Sequence, residues 1–218
     1  MTLSPDLLLH AYSIGIFPMA ETRDDDDVFW VDPKLRGVMP LDGFHLSRSL
    51  AKTLRRGDYT ITIDEDFAGV VDGCADREDT WINPDIRRGY LALQKAGHAH
   101  SLEVRDLTGA LVGGIYGVTL GGAFFGESMF SRRRDGSKIA IAFLVERLIR
   151  AGFTLFDTQF LTPHLASLGG VEMPRTRYHL QLDAALERRA QFEGWDVPGA
   201  QDLIDRLRAG GAASDQAT

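Results

Sequence analysis

LVGGIYGVTLGGAFFGESMFSRRRDGSKIAIAFLVERLIRAGFTLFD, residues 111–157, decides the fold. Two apolar runs parted by Gly121 and Gly122 read as β-strands joined by a tight turn. With HSLEVRD (100–106) and its DLTGA turn they predict a three-strand antiparallel meander. SKIAIAFLVERLIR (137–150) is apolar nearly all round, which predicts a helix sandwiched between layers, closed by Gly152. TLFD (154–157) is then the short, continuous apolar run of a buried strand lying parallel to its predecessor after a crossover helix. One acid, Glu127, sits inside the last strand of the meander, just before Arg132, Arg133, Arg134 and an Asp-Gly turn. A buried carboxylate beside a cationic turn is costly to build for stability alone.

Towards the N-terminus the pattern is looser. Ser4-Pro5-Asp6 opens a helix whose apolar stripe is Leu7, Leu8, Ala11, Tyr12 and Ile14. The acidic block Glu21–Asp27 reads as a mobile loop, and FWVDPKLRGVMP supports only short strands between its prolines. Residues 47–56 form a helix with Leu50 and Leu54 on one face and Arg48, Lys52, Arg55 and Arg56 on the others. TITID (60–64) alternates as a strand; helices are predicted over 67–75 and from Pro84 to Ala96. Beyond the stretch quoted first, helices are expected over 163–168 and 175–189. The resulting division is a small N-terminal unit (1–60), an α+β unit (61–193) and a mobile tail (194–218).

Composition narrows the function. A single cysteine, Cys74, leaves no internal disulfide and no thiolate zinc cluster, and its apolar neighbours make it a core thiol. With no apolar run of about eighteen residues, no membrane helix is expected; the N-terminus reads as a helix rather than a signal peptide, so the expected location is cytoplasmic. Net charge is −7, yet Lys34, Arg36, Arg48, Lys52, Arg55 and Arg56 oppose one acid over residues 34–56, and Arg132–Lys138 repeat the bias. These are either solvated faces or a locally basic surface for phosphates.

Asp157 ends the buried strand and Gln159 follows two residues on, where sites form at the carboxyl ends of strands. Asp157 is either a cap for the following segment or half of a carboxylate–amide pair facing a ligand. Nucleophile-elbow, zinc-protease and dinucleotide motifs are absent. The β-β-β-α-β order matches the core of the Gcn5-related N-acetyltransferase fold. In place of the glycine-rich cradle that would hold coenzyme A stands the bulky Arg132-Arg133-Arg134-Asp135.

FPM, FWVDP, HLSRSL, CADREDTWI, GHAHSLEV, GGIYGV, FFGESMFSR, DTQFLTPHLASLGG and MPRTRY, in this order from about residue 11 to 185, resemble the leucyl/phenylalanyl-tRNA–protein transferase family. The resemblance implies a small N-terminal domain plus an acetyltransferase-like domain. It implies transfer of leucine or phenylalanine from aminoacyl-tRNA to the α-amino group of proteins beginning with arginine or lysine, a tag for N-end-rule degradation. It requires no cofactor and no metal, and the chain is expected to be monomeric. By motif, Asp157 and Gln159 match the pair proposed to activate the amine, and Glu127 a carboxylate near the aminoacyl-adenosine. Trp30 and Trp81 match aromatics at the terminal adenosine. Ile115, Phe124, Met129, Leu144 and Phe156 fall where the family lines its side-chain pocket. Phe29-Trp30 replaces two tryptophans, which leaves the choice between leucine and phenylalanine open. An acidic pocket for the acceptor would come from Glu127, Asp157 and Glu172. Arg48, Lys52, Arg55, Arg56, Arg132 and Lys138 are the candidate tRNA contacts. A coenzyme A-dependent acyltransferase and a non-catalytic tRNA-binding module are the competing classes.

Overall fold

A computed structural model describes residues 3–214. Helix α1 (Pro5–Ser13), capped by Ser4 Oγ accepting from Leu7 N at 3.2 Å, leads into a two-stranded ribbon of β1 (Phe17–Met19) and β2 (Phe29–Val31). Then come β3 (Leu35–Val38), α2 (Arg48–Arg56), β4 (Tyr59–Ile63), α3 (Phe67–Ala75) and α4 (Pro84–Lys95). The predicted meander follows as β5 (Ala99–Asp106), β6 (Leu111–Leu120) and β7 (Ala123–Ser131), then α5 (Gly136–Arg150) and β8 (Leu155–Gln159). The chain continues through α6 (Pro163–Ala166), β9 (Val171–Pro174), α7 (Arg175–Leu186) and α8 (Ala200–Ser214).

Seven strands form one sheet in the order β4-β5-β6-β7-β8-β3-β9. β7 and β8 are parallel, as the crossover through α5 demands, and every other neighbouring pair is antiparallel. The sheet separates two apolar layers. One packs α5, with Phe143, Leu144 and Leu148, against Phe124 and Phe156. The other packs α1, α3 and α4, with Leu8, Tyr12, Val70 and Tyr90, against Tyr116 and Phe125. The fold class is therefore α+β with a mixed sheet and an acetyltransferase-like core.

Two segments pack differently from their expected places. Residues 1–60 do not stand apart: β3 is inserted between β8 and β9, and Leu50 and Leu54 of α2 are buried in the α5 layer. The tail expected from residue 194 is helical over 200–214. Leu203, Ile204 and Leu207, spaced to share one helix face, are buried in the α5 layer, and Arg206 pairs with the buried Glu146 at 2.5 Å. Burial of that face, roughly 1.5–3 kcal/mol for each leucine-sized side chain, outweighs the poor helix propensity of Gly210 and Gly211.

Candidate active site

The site exists because two neighbouring strands part. The ladder between β7 and β8 runs from Ala123/Leu155 to Phe125/Asp157. Just beyond, each strand bulges. On β7, Tyr116 pairs with Ser128 and Gly117 with Gly126, so Glu127 is the extra residue. On β8, Val38 pairs with Asp157 and Gly37 with Gln159, so Thr158 is the extra residue. A bulge re-aims the residue it carries. It also exchanges the faces: Phe125 and Phe130 both pack on the α1 layer, an odd spacing that unbroken alternation forbids. At Gly117 the β6 backbone comes so close to β7 that a Cβ would stand 2.3 Å from the Phe125 carbonyl oxygen, so only glycine closes this ladder.

Between the parted strands lies a cavity of about 270 Å³. Ile115, Met129, Phe156 and Leu165 are among its apolar lining, Arg77, Glu127, Thr158, Gln159 and His164 among its polar lining, and Trp81 forms part of its wall. Phe124 meets the cavity-lining Phe156 edge-on at 5.5 Å, and Leu144 lies in the same apolar layer. Of the residues expected at the side-chain pocket, Ile115, Met129 and Phe156 thus line the cavity, whereas Phe124 and Leu144 are core residues that are not among its lining. Trp30, on β2, packs half-buried against the α1 layer and is not among the cavity-lining residues described. Glu172 lines a separate cleft of about 670 Å³ beside β9 and does not contribute to this site.

Glu127 is buried at 7% exposure and meets only neutral donors. Tyr12 Oη donates to Oε1 at 2.6 Å, Gln159 Nε2 donates to Oε1 at 2.9 Å, and Tyr90 Oη donates to Oε2 at 2.5 Å. Burial penalises the charge more than these bonds favour it, so its pKa is pushed up to about 7. The same burial and the carboxylate together push both tyrosines well above their ordinary values, which keeps them protonated as donors.

Asp157 has the opposite surroundings. Its Oδ1 accepts from Arg36 Nε at 2.9 Å and Gln159 N at 2.8 Å; its Oδ2 accepts from Arg36 Nη2 at 2.6 Å and Tyr178 Oη at 2.8 Å. All four lone-pair directions are occupied and the residue is 0% exposed. Arg36, expected on a basic surface, is itself buried: its guanidinium lies over the rings of Phe17 and Tyr178 and donates to the Gly15 carbonyl. Asp157 and Gln159 therefore do not face one ligand side by side. Gln159, at φ +63°, turns its side chain back to Glu127 while its N–H is held by Asp157.

The basic residues divide as well. The loop entering α5 is joined to α2, through Thr53 Oγ1 donating to Asp135 Oδ2 at 3.1 Å and Arg133 donating to the Asp58 carbonyl at 2.8 Å. The two basic segments are thereby one surface. On it, Arg48 and Lys52 are exposed with no ion-pair partner among the described residues. Arg55 donates to Gln201, and Arg56, Arg132 and Lys138 pair with Asp58, Asp76 and Asp135. The Asp135 carboxylate at the start of α5 leaves that helix end poorly suited to a pyrophosphate. Cys74 is buried and its thiol is pushed up to about 12 by burial, as a core thiol should be. Asp64, His100 and Glu193 bring ligand-type atoms within 4.8 Å of one another elsewhere, but Asp64 is already engaged by His100 Nδ1 and Ser101 N.

Tyr12, Tyr90, Arg36 and Tyr178 complete the site; the first three had no motif to announce them, and Tyr178 closes the MPRTRY motif with no role assigned to it. Tyr12 reads as part of an apolar stripe and Arg36 as one of many surface cations; a hydroxyl in an otherwise aliphatic stripe is the one local signal.

The model of the leucyl/phenylalanyl-tRNA protein transferase family matches residues 38–183, and that of its N-terminal domain matches residues 1–34. The gap between the two matches, residues 35–37, thus falls within β3, where the chain enters the main sheet. A leucyl/phenylalanyl-tRNA–protein transferase of Ruegeria pomeroyi is 65% identical over 207 residues, covering 95% of this chain and 98% of the relative. One from Cereibacter sphaeroides is 67% identical over 190 residues, 87% of this chain and 88% of the relative. Among solved structures, FemX shares the fold at 11% identity, with a TM-score of 0.52 over 78% of this chain and 66% of FemX. The chain belongs to the leucyl/phenylalanyl-tRNA–protein transferase family, and it is an aminoacyltransferase that moves an amino acid from tRNA to protein.

Proposed function

We propose that the chain transfers leucine or phenylalanine from aminoacyl-tRNA to the α-amino group of proteins beginning with arginine or lysine, tagging them for N-end-rule degradation. The observation that carries the reading is the bulged Glu127, bonded to Gln159, in a cavity lined also by Ile115, Met129, Phe156 and Leu165. At about 270 Å³ the cavity is below the roughly 300–1,000 Å³ of sites that enclose drug-sized ligands, which suits an aminoacyl end with its nucleoside at the mouth. In this reading Ile115, Met129, Phe156 and Leu165 receive the leucyl or phenylalanyl side chain, and Trp81 and Arg77 meet the nucleoside.

In this reading the acceptor's neutral amine attacks the ester carbonyl carbon. An amide bond forms, the ester C–O bond breaks, the amine loses a proton and the ribose oxygen regains one. The ester is already activated, so the protein need only hold the two partners together, worth about 7–11 kcal/mol, and receive the proton. Glu127 is the proton acceptor, because its pKa lies near neutrality and it lines the cavity. Asp157 is a positioning residue, holding Gln159 through its backbone. The joined surface of α2 and residues 132–138 faces tRNA phosphates.

Support for a basic acceptor comes from the acidic block Glu21–Asp27. Its loop is tied to the cavity wall: Arg23 donates to the carbonyls of Ala75 and Arg77, and Asn83 donates to the carbonyl of Asp25. Exposed Asp24, Asp26 and Asp27 thereby stand beside the loop that carries Arg77 and Trp81. The site is built within one chain, in keeping with a monomer, and the single buried thiol suits a reducing cytoplasm. Incubation of labelled phenylalanyl-tRNA with a peptide beginning with arginine, followed by mass measurement, tests the reading: the peptide gains one phenylalanine. A peptide left unchanged while charged tRNA still binds would show a binding module instead.

A further inference from the structure

Of the residues that line the cavity between β7 and β8, Arg77 alone carries a fixed positive charge. It is exposed and has no ion-pair partner among the described residues. The acid before it in the chain, Asp76, pairs with Arg132, and nearby Arg87 is taken by Asp72. Glu127 lines the same cavity, yet its bonds come from two tyrosines and an amide rather than from Arg77. Among the described residues the Arg77 side chain makes one bond, from Nη2 to Ser128 Oγ at 3.3 Å, one residue along β7 from Glu127. Most of the donors of a guanidinium are thus left for a ligand.

The backbone beneath this free cation is fixed. Asp76, at φ −78° and ψ 63°, centres an inverse γ-turn in which Arg77 N donates to the Ala75 carbonyl at 2.9 Å. Arg23 braces the turn by donating to the carbonyls of Ala75 and Arg77. Arg132, which donates to Asp76, belongs to the loop that joins the basic surface of α2. Arg77 therefore stands where that basic surface reaches the cavity.

Charge selects the ligand, and here the inference rests on the proposed function. The ammonium of the aminoacyl group and the basic residue of the acceptor are cations, which a guanidinium repels. Base and ribose are neutral. The phosphodiester that joins the terminal nucleoside to the rest of the tRNA is the one anion common to every aminoacyl end, and a single ribose separates it from the reacting ester. Guanidinium groups bind phosphate oxygens with paired N–H donors.

We propose that Arg77 holds the phosphodiester on the 5′ side of the aminoacyl nucleoside and so registers the ester against Glu127. It is a binding residue, outside the basic residues that the motifs offered for tRNA.

The test compares substrates that differ by that phosphate. Phenylalanine esterified to the 3′-oxygen of adenosine, and to that of adenosine 5′-monophosphate, is offered to wild type, Arg77→Ala and Arg77→Lys, with a peptide beginning with arginine as acceptor. Wild type should favour the phosphorylated ester in kcat/KM by about ten-fold, the scale of one charge-assisted hydrogen bond. Arg77→Ala should compress that preference to about two-fold or less, and Arg77→Lys, which keeps the charge and loses the fork, should fall between. The preference is a ratio within one preparation, so partial misfolding of a variant does not alter it. With whole phenylalanyl-tRNA, Arg77→Ala should lower the slope of log affinity against log salt by about 0.7, the share of one single-strand phosphate. Equal losses on the two esters would confine Arg77 to the nucleoside and overturn the inference, as would an unchanged salt slope; both leave the proposed function intact. No transfer from phenylalanyl-tRNA by wild type would overturn the proposed function itself.

Discussion

Glu127 and Asp157 are two buried carboxylates at the ends of adjacent strands, and they hold their charge in opposite ways. Asp157 is met by a guanidinium that is itself buried, by a tyrosine and by a backbone N–H, so every lone pair is spoken for. Glu127 is met by two tyrosines and an amide, all neutral, and opens onto a cavity. A carboxylate paired to a fixed cation is a structural charge; one solvated only by dipoles has its proton in play. Neighbouring acids of similar burial thus take up different parts, and the choice lies in what each can borrow from helices far away in the chain.

The largest expected effect breaks the Asp157 side. Asp157→Ala or Arg36→Ala leaves a buried charge without its partner and should cost about 3–5 kcal/mol of stability, read as a lowered Tm. Replacing both, as Arg36→Met with Asp157→Leu, should recover much of that loss while transfer stays impaired, because Gln159 loses its backbone anchor. A double variant no more stable than the singles would show that the pair is not the main term.

Next is Glu127→Gln, which keeps the shape and removes the base. Transfer should fall by about 10²- to 10⁴-fold with the fold intact. In wild type kcat/KM should rise with pH up to about 7, where the carboxylate loses its proton, and the variant should lack that limb. Stability gives an independent check with a defined sign. Because the folded pKa is raised from 4.5 to about 7, this group's contribution is fully present below 4.5 and is lost as pH rises through 7. The Tm of Glu127→Gln should therefore improve relative to wild type between pH 5 and pH 8.

A smaller effect sharpens the contrast. Tyr12→Phe or Tyr90→Phe removes a donor that favours the ionised Glu127, so the lower limb of the pH profile should move to higher pH with a modest loss of rate. The same limb in both variants as in wild type would show that the tyrosines do not tune the base. Smallest are the surface charges. Alanine at Arg48 or Lys52 should lessen the salt dependence of tRNA binding by about one unit of slope each if they meet phosphates. Neutralising Asp24, Asp26 and Asp27 should raise KM for arginine-initiated peptides at low salt and leave aminoacyl-tRNA binding unchanged.

Much of the scaffold was legible because it is written in local periodicity. The meander, the all-round apolar α5 and the short run before Asp157 each carry their pattern within about fifteen residues, and the structure forms each of them. The buried helix α8 was also legible in principle, from the spacing of Leu203, Ile204 and Leu207, but glycine and alanine around it read as a fraying tail. The pocket residues followed from the resemblance and three of the five, Ile115, Met129 and Phe156, line the cavity, whereas the resemblance could not tell which acid faces it.

By itself the sequence determined the strand–helix–strand core, the acid within an apolar strand and the family to which these motifs point. Tertiary structure alone decided that β3 threads between β8 and β9, bringing Arg36 to Asp157, and that α1 and α4 deliver Tyr12 and Tyr90 to Glu127. The reason is physical. A residue's periodicity reports which face it shares with its neighbours, but a carboxylate's proton affinity depends on the few charges and dipoles within hydrogen-bond reach, and here some of those come from residues as far as 121 positions away.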